Sequence, residues 1–212
     1  MTARRLRVAI AGFCPFPGAP RNPSAEVVRA IMRRQRFGRA GIDLEATIFP
    51  TAYSEAERQL KTLLDRKPDA VVLFGVAAKT RHIRVETVAR NTASTLYPDH
   101  ARFTPALRKL IADGAPRLMT RAPIAKLRAA ARLAGVKTEF SNNAGRYLCN
   151  AIFYHALAAT AALKPAPLVQ FIHVPAVRMQ TSLSWLIQAC EAIVWVAARE
   201  AARSRAVSER DG

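Results

Sequence analysis

The chain contains 212 residues, half of them hydrophobic, and its 33 basic and 15 acidic side chains give a formal net charge of +18. This length suits one domain, or at most two small ones, and the apolar content argues against a disordered chain. The longest apolar stretches fall well short of the roughly 18 residues that a transmembrane helix needs, so we expect no membrane partner.

The positive charge comes mainly from arginine, which supplies 26 of the 33 basic side chains. Clustered basic side chains attract polyphosphates, so the charge alone raises the hypothesis of nucleic-acid binding. The arginines, however, are scattered over many predicted elements and are not interleaved with aromatic residues. We therefore expect no specific nucleic-acid partner.

The cysteines and the N-terminus bear on the cellular compartment. Cys14, Cys149 and Cys190 are too few and too irregularly spaced for a disulfide framework or a zinc cluster. Residues 1–7 are partly basic, but no apolar segment of signal-peptide length follows them. Both features favour a reducing compartment, and we expect the protein to be cytoplasmic.

The first half of the chain alternates short apolar runs with helical patterns. A stiff loop is expected at residues 13–20, which contain three prolines and a glycine. A helix is expected to follow, with Asn22 as its N-cap and Pro23 at its first position. Further predictions are strands at 7–11, 44–49, 69–74 and 83–88, and a helix at 53–64.

The second half begins with a loop-rich stretch at residues 91–121 and then returns to alternating elements. Predicted helices cover 123–134, 145–163 and 182–203, and predicted strands cover 136–140 and 168–172. Gly135 is a natural C-cap for the first of these helices. The polar tail at 204–212 is expected to fray.

Alternation of strands and helices predicts an α/β fold. We expect residues 1–212 to form a single domain, a three-layer α/β/α sandwich with a mostly parallel, twisted mixed sheet. No internal repeat or linker divides the chain.

Two residues could carry nucleophilic chemistry in such a fold, because reactive side chains collect at the carboxyl ends of strands and at nearby helix starts. Cys149 lies near the start of the long helix predicted at 145–163, where the helix dipole favours a thiolate and lowers the thiol pKa. His173 follows the strand at 168–172 and could take a proton from the thiol, with a third group orienting its ring. On this pattern alone, Cys149 could equally be a buried small hydrophobe and His173 a structural histidine.

Four segments of the chain follow a recognisable pattern, in this order. Residues 12–18 and 22–24 have the form Gly-Phe-x-Pro-Phe-x-Gly, then Asn-Pro-Ser, and residues 83–91 have the form Ile-x-x-Glu-x-Val-Ala-x-Asn. Residues 141–150 read Ser-Asn-Asn-Ala-Gly-Arg-Tyr-Leu-Cys-Asn, and residues 171–175 read Phe-Ile-His-Val-Pro. Together these segments resemble pyroglutamyl peptidase I, also called pyrrolidone-carboxylate peptidase, a family of cysteine peptidases.

The resemblance implies a catalytic triad and an enzyme activity. Cys149 would be the nucleophile, His173 the general base and then acid, and Glu86 the group that orients the imidazole. The implied reaction is hydrolysis of the bond after an N-terminal pyroglutamyl residue through a thioester, with no metal or organic cofactor. Without the resemblance, Glu86 among Arg81, Arg84 and Arg90 could be a solvated ion pair.

The resemblance also implies a binding pocket and an assembly state. Phe13, Phe16 and Tyr147 match aromatic residues of the family's pocket for the pyroglutamyl lactam, whose flat ring suits apolar walls. Asn22 matches a polar residue beside that pocket, and this role is compatible with helix capping. The partners implied are N-terminally pyroglutamylated peptides and further copies of the chain, in a dimer or tetramer.

The chain departs from the family pattern at three places. The family's Gly-Gly-Arg after the third strand is replaced by Ala78-Lys79-Thr80, and its second loop glycine by Pro17. The arginine that the family carries ten residues after the glutamate is replaced by Leu96. The missing guanidinium is a charge-assisted donor that could support the glutamate or a developing oxyanion.

These departures leave a second hypothesis open. The chain could be a degenerate relative, either non-catalytic or with altered specificity, that binds a lactam or a peptide N-terminus. A serine hydrolase built on Ser141 and His82 or His155 is a weaker hypothesis, since no Gly-x-Ser-x-Gly elbow is present. His155 is expected to be structural.

Overall fold

The computed structural model describes residues 4–16, 19–177 and 182–208. Two sheets are present in this part of the chain, a larger one with six strands and a smaller one with two. The strands are β1 (Leu6–Phe13), β2 (Ile42–Phe49), β3 (Ala70–Ala77), β4 (Ile83–Glu86), β5 (Val88–Arg90), β6 (Arg117–Met119), β7 (Thr138–Ser141) and β8 (Leu168–Pro175).

The larger sheet has the strand order β2-β1-β3-β8-β4-β7. Strands β2, β1, β3 and β8 are parallel. The apolar runs of the inner strands β1, β3 and β8 are buried almost throughout, as central parallel strands require, whereas the edge strand β2 is mostly half-buried. Strand β4 runs antiparallel to β8 and parallel to β7. The mostly parallel mixed sheet expected from the sequence is therefore confirmed.

Helices cover both faces of this sheet. They are α1 (Pro23–Met32), α2 (Arg36–Arg39), α3 (Tyr53–Asp65), α4 (Ile124–Leu133), α5 (Leu148–Thr160) and α6 (Leu183–Ser208). Buried side chains of α1, α4 and α6 form a hydrophobic core on one face, and those of α3 and α5 form a second core on the other. The single α/β domain with three layers is confirmed. No helix in the described ranges is both long and apolar enough to cross a membrane.

Two residues that the sequence predicts at helix ends, one at the start of α1 and one after α4, are found there in the structure. The Asn22 side chain accepts a hydrogen bond from the Ser24 backbone N–H at 3.1 Å, which confirms it as the N-cap of α1. Gly135, with φ of 83°, follows α4 in the left-handed conformation that glycine adopts without strain.

The helix predicted at 145–163 is shorter at both ends in the structure. Gly145 has φ of 86°, and its N–H is bonded to the Asn143 side chain at 3.0 Å, so a turn precedes the helix. Helix α5 begins at Leu148 and ends at Thr160. Cys149 is consequently the second residue of α5.

The strand predicted at 83–88 is divided in two. Thr87 bonds the Ser141 carbonyl through both its backbone N–H and its hydroxyl, at 2.7 and 3.0 Å, and this ends the pairing of β4 with β7. The next residues form β5, which pairs with β6 in the two-stranded antiparallel sheet. At the other end of the chain, α6 continues to Ser208, so residues 204–208 of the predicted frayed tail are helical.

Two buried polar side chains organise the loop-rich stretch that the sequence left ambiguous. The Asn91 amide donates to the carbonyls of Ile111 and Gly114, and its oxygen accepts from two backbone N–H groups in the same loop. Asp99 accepts from the Tyr53 N–H at 2.8 Å, at the start of α3, and from the Phe103 N–H at 2.9 Å. The loop is thereby attached beside the carboxyl ends of the strands.

Candidate active site

The sheet brings three of the recognised segments to one place. Gly75 on β3 is the register partner of His173 on β8, and Arg84 on β4 is the partner of His173 on its other side. Side chains two residues apart on a strand lie on the same face, so Glu86 shares a face with Arg84. That face is the one covered by α5, the helix that carries Cys149.

Glu86 and His173 form a buried pair. The Nδ1 atom of His173 lies 2.8 Å from Oε1 of Glu86, and their side chains are 6% and 0% exposed. Nδ1–H donating to the carboxylate leaves Nε2 with a lone pair, which is the tautomer that a general base needs. The predicted partners are therefore in direct contact.

Cys149 lies over strand β3, next to this pair. Its Sγ atom is 2.9 Å from the position that a Cβ on Gly75 would occupy, and the ring of Phe171 is equally close to that position. Because Gly75 faces His173 across the β3–β8 pairing, the thiol is held above the strands that carry the histidine. The structure thus brings Cys149, His173 and Glu86 together.

The environment of the thiol differs from the expectation based on the helix dipole. Burial and, to a smaller extent, the Glu86 carboxylate raise the pKa of the Cys149 thiol to about 12, although the backbone N–H of Cys149 itself acts in the opposite direction. The expected lowering of the pKa is wrong for this state, because desolvation of the sulfur outweighs the dipole of α5. A reactive thiolate here requires a base to remove the proton.

The carboxylate is kept ionised by its partners. Burial opposes the charge of Glu86, but the hydrogen bond and charge of His173, the Ser141 hydroxyl and the Arg84 guanidinium together lower the pKa of Glu86 below its ordinary value of 4.5. An ionised Glu86 stabilises an imidazolium at His173. A proton taken up by His173 is thus stabilised by the neighbouring carboxylate.

The lack of a side chain at Gly75 is what leaves room for the thiol. We predict that Gly75→Ala lowers kcat for a peptidase substrate by about 10- to 100-fold, because the added methyl displaces Sγ or the Phe171 ring. Steady-state kinetics and thermal unfolding of the purified variant would measure the change. The matched control is Gly38→Ala, whose methyl would meet no atom within 4 Å; equal kinetics in the two variants would contradict the prediction.

The aromatic residues expected in the pocket form two groups. The rings of Phe16 and Tyr147 are tilted by 43° relative to each other with centroids 6.4 Å apart, and the Tyr147 hydroxyl donates to the Pro98 carbonyl at 3.1 Å. Phe13 is only 3% exposed and packs against Phe171, whose ring centroid lies 4.9 Å from that of His173. Phe13 therefore supports the floor of the site, and Phe16 and Tyr147 are its more accessible aromatic residues.

Both the oxygen and the nitrogen of the Asn22 side-chain amide form hydrogen bonds within the protein. Besides capping α1, its Nδ2 donates to the Cys14 carbonyl at 3.2 Å, immediately after strand β1. The Thr51 hydroxyl donates to the same carbonyl. Asn22 is buried and holds the loop that carries Phe16 against α1.

The departures from the family pattern have different structural outcomes. Leu96 is 79% exposed, so this position contributes no group to the Glu86–His173 pair. Thr80 forms a turn by bonding the Ala77 carbonyl through its N–H and its hydroxyl, both at 3.0 Å. Pro17 lies outside the described residues.

Two polar residues of the site were assigned no functional role from the sequence. The buried Asn150 amide donates to the carbonyls of Arg90 and Thr92 and accepts from the Arg90 N–H, which ties the first turn of α5 to strand β5. Arg84 contacts Glu86 directly. The sequence signal that could have identified Asn150 and Arg84 is their position close to Cys149 and Glu86 within the matched segments.

The serine-hydrolase alternative finds no support in the geometry. Ser141 accepts a hydrogen bond from Arg84 and supports Glu86. His155 lies on α5 facing Glu57 of α3, with 3.8 Å between Nδ1 and Oε1, and burial lowers its pKa. It has the structural position expected from the sequence.

A cavity of about 430 Å³ opens elsewhere, at the amino ends of β1 and β2. Its charged lining includes Arg7, Asp43, Glu45 and Arg66. The Glu45 and Arg66 side chains form an ion pair at 2.5 Å. Because this cavity lies at the end of β1 opposite Phe13, it is separate from the Cys149 site.

Comparison with known proteins gives a consistent result. The model of the family described as pyroglutamyl peptidase matches residues 6–193. Pyrrolidone-carboxylate peptidase of Lactobacillus acidophilus is 33% identical over 198 residues, which covers 89% of this chain and 97% of that protein. The enzyme of the same name from Thermococcus onnurineus is 33% identical over 199 residues, with the same coverage.

Solved structures of this family share the fold. Pyrrolidone carboxyl peptidase from Thermococcus litoralis superimposes with a TM-score of 0.83 at 26% identity, covering 91% of this chain and 93% of that one. Pyroglutamyl peptidase I from Bacillus amyloliquefaciens gives a TM-score of 0.81 at 26% identity, covering 92% and 97%. The chain belongs to the pyroglutamyl peptidase family of cysteine hydrolases.

Proposed function

We propose that this chain hydrolyses the bond between an N-terminal pyroglutamyl residue and the next amino acid, with Cys149, His173 and Glu86 as its catalytic triad. The observation that carries the proposal is the buried Glu86–His173 pair, 2.8 Å apart, beside a cysteine in the first turn of α5. Family membership supports the same reaction.

Catalysis begins with proton transfer, because the thiol pKa of about 12 leaves almost no thiolate near neutral pH. His173 accepts the proton at Nε2, and Glu86 stabilises the resulting imidazolium. The Cys149 thiolate then attacks the pyroglutamyl carbonyl carbon and forms a tetrahedral intermediate.

The start of α5 supplies donors for the oxyanion of that intermediate. The first backbone N–H groups of a helix have no partner within it, and here they belong to Leu148, Cys149 and Asn150. Donors of this kind contribute about 3 kcal/mol each to transition-state stabilisation. The same helix turn thus carries the nucleophile and the oxyanion donors.

The intermediate collapses when His173 returns its proton to the leaving amine. The C–N bond breaks and the pyroglutamyl group stays on Cys149 as a thioester. Water, deprotonated by His173, then attacks the thioester carbonyl, the C–S bond breaks, and pyroglutamate leaves with the thiol restored. Every proton passes through His173.

The lactam is proposed to bind among the aromatic residues next to the thiol. Phe16 and Tyr147 offer flat apolar surfaces, and Phe13 supports them from the core. Asn22 acts by holding the Phe16 loop, since its own amide is bonded within the protein. A five-membered lactam has little polar surface to satisfy, which suits such walls.

A panel of reporter substrates tests the substrate class. We expect the 7-amido-4-methylcoumarin of pyroglutamate to be hydrolysed and those of proline and glutamate to be poor substrates, because proline lacks the lactam carbonyl and glutamate adds charges that the aromatic walls cannot solvate. Comparable kcat/KM for all three would refute the proposed specificity.

A degenerate relative that binds without turnover is the second candidate, favoured by the exposed Leu96 at the family's arginine position. Alkylation of the thiol separates the two functions. If His173 activates Cys149, iodoacetamide should label it rapidly near pH 7, and His173→Ala should slow labelling at least about 10-fold, because burial raises the thiol pKa and the variant lacks the base that would take the proton. Mass spectrometry of the labelled peptide measures the rate; equal slow rates in both proteins would favour the degenerate relative.

We further propose that residues 1–212 act as one catalytic domain in the cytoplasm, within a homodimer or homotetramer. Free cysteines, one of them a nucleophile, suit a reducing compartment. Exposed apolar side chains in the loop beside the site, Leu96, Tyr97 and Leu107, are suited to contact with another copy. Light scattering on the purified protein would measure the assembly state.

A further inference from the structure

One charged side chain at the site has no step of its own in the proposed reaction. Arg84 lies on β4, two residues before Glu86 and on the same face of the sheet, and it is the register partner of His173. Its side chain is only 22% exposed, so its guanidinium is largely removed from water.

The guanidinium of Arg84 contacts two parts of the site at once. Its Nη2 lies 3.2 Å from Oε1 of Glu86, the same carboxylate oxygen that His173 contacts. Nη2 also donates to the Ser141 hydroxyl and to the Asn143 carbonyl. Both belong to the segment that leads from β7 to the Cys149 helix.

These contacts join the two halves of the catalytic group. Glu86 and His173 are on strands, whereas Cys149 is on a helix whose preceding turn contains Ser141, Asn143 and Gly145. A planar guanidinium with several fixed donors can hold both sides in one geometry, and a charged hydrogen bond resists displacement more than a neutral one.

We propose that Arg84 is a positioning residue, an inference that rests on the proposed function. It orients the Glu86 carboxylate and holds residues 141–143, so that the Cys149 thiol is placed for proton transfer to His173. With the exposed Leu96 at the position of the family's arginine, Arg84 supplies a guanidinium to the Glu86 carboxylate from a different place in the chain.

The charged and polar groups around Glu86 define what the loss of Arg84 would change. His173 contacts it from β8, Ser141 from β7 and Arg84 from β4, while Cys149 faces it from α5. Gln170 donates to the Glu86 backbone carbonyl at 2.7 Å. Without Arg84, Glu86 loses one of the interactions that hold its pKa below the ordinary value.

The experiment compares Arg84→Gln, Arg84→Lys and wild type by kcat, KM and the rate of Cys149 alkylation. We expect Arg84→Gln to lower kcat about 10- to 100-fold with little change in KM, and to slow alkylation about 10-fold, since displaced groups transfer the proton poorly. Arg84→Lys should recover part of both losses because it keeps the charge. The acid side of the kcat–pH profile should move to higher pH in Arg84→Gln, because Glu86 becomes easier to protonate.

Arg203→Gln is the matched control, since Arg203 forms an ion pair with Glu200 on α6, on the other face of the sheet. It should match wild type in all readouts. Wild-type kcat and alkylation in Arg84→Gln, or a loss seen only in melting temperature, would overturn the inference. If wild type hydrolyses no reporter while Arg84→Gln still slows alkylation, the proposed function fails and the positioning role stands.

Discussion

Replacing Cys149 by alanine is expected to reduce kcat for pyroglutamyl-7-amido-4-methylcoumarin by at least about 10⁴-fold, which is the size of effect seen when a triad nucleophile is removed. The proposed oxyanion donors of α5 and the proposed aromatic pocket remain, but no thioester can form. Binding of substrate should persist, so KM for any residual activity should stay within a few-fold of wild type. Initial rates at high enzyme concentration measure the loss.

Cys190→Ala is the control for this prediction. Cys190 is fully buried in the core between the sheet and α6, on the face opposite Cys149, and burial raises its thiol pKa so that it is unreactive. Its replacement should lower stability by about 1 kcal/mol through lost packing and leave kcat unchanged. Full activity in Cys149→Ala would refute the nucleophile assignment and, with it, the proposed mechanism.

The second large effect is expected for Glu86→Gln, which should lower kcat by about 10³- to 10⁴-fold. Glutamine has the size of glutamate but no charge, so it cannot stabilise the imidazolium, and its NH₂ group can force the wrong histidine tautomer. Because the thiol pKa is raised to about 12, proton transfer to His173 depends strongly on that stabilisation. The alkylation rate of Cys149 should fall together with kcat.

Glu191→Gln provides a matched buried glutamate. Glu191 is 1% exposed on α6 and paired with Arg36, away from Cys149. Both substitutions remove a buried charge next to an arginine, so both should destabilise the fold, but only Glu86→Gln should affect kcat. Equal kcat in the two variants would show that Glu86 acts as a structural ion pair alone.

The lowered pKa of Glu86 also has a consequence for stability. A carboxylate whose folded-state pKa lies below its ordinary value of 4.5 stabilises the native state at pH values above 4.5, and this contribution is lost as the pH falls through the lower folded-state value. The stability difference between wild type and Glu86→Gln should therefore diminish in acid. Denaturant titrations at pH 7 and pH 3 would measure it.

Much of the fold follows from local signals in the chain. Short apolar runs predicted the main-sheet strands, two of them ending at a glycine, and the Asn22 cap and the Gly135 terminus are at the expected helix ends. What local pattern did not predict was the break at Thr87, because it depends on a bond to Ser141, which is 54 residues away. The helical turn at residues 204–208 similarly has no strong signal of its own.

The site was predicted through the matched segments more than through physical pattern. Cys149, His173 and Glu86 have no spacing that identifies a triad, since they come from three elements far apart in the chain. Arg84 illustrates the limit. One hypothesis from the sequence placed Glu86 in a solvated ion pair among Arg81, Arg84 and Arg90, whereas the Arg84–Glu86 pair is largely buried and Arg84 also reaches the Cys149 segment. Only the pairing of β4 with β7 and β8 creates that arrangement.

By itself, the sequence determined the α/β class, the family resemblance and the identity of the candidate catalytic residues, because these depend on residue types and on short-range order. The tertiary structure decided the ionisation of the site. Whether the dipole of α5 or desolvation controls the Cys149 thiol depends on how closely Gly75, Phe171 and Glu86 surround the sulfur. That balance is a property of packing between distant segments, and here desolvation prevails.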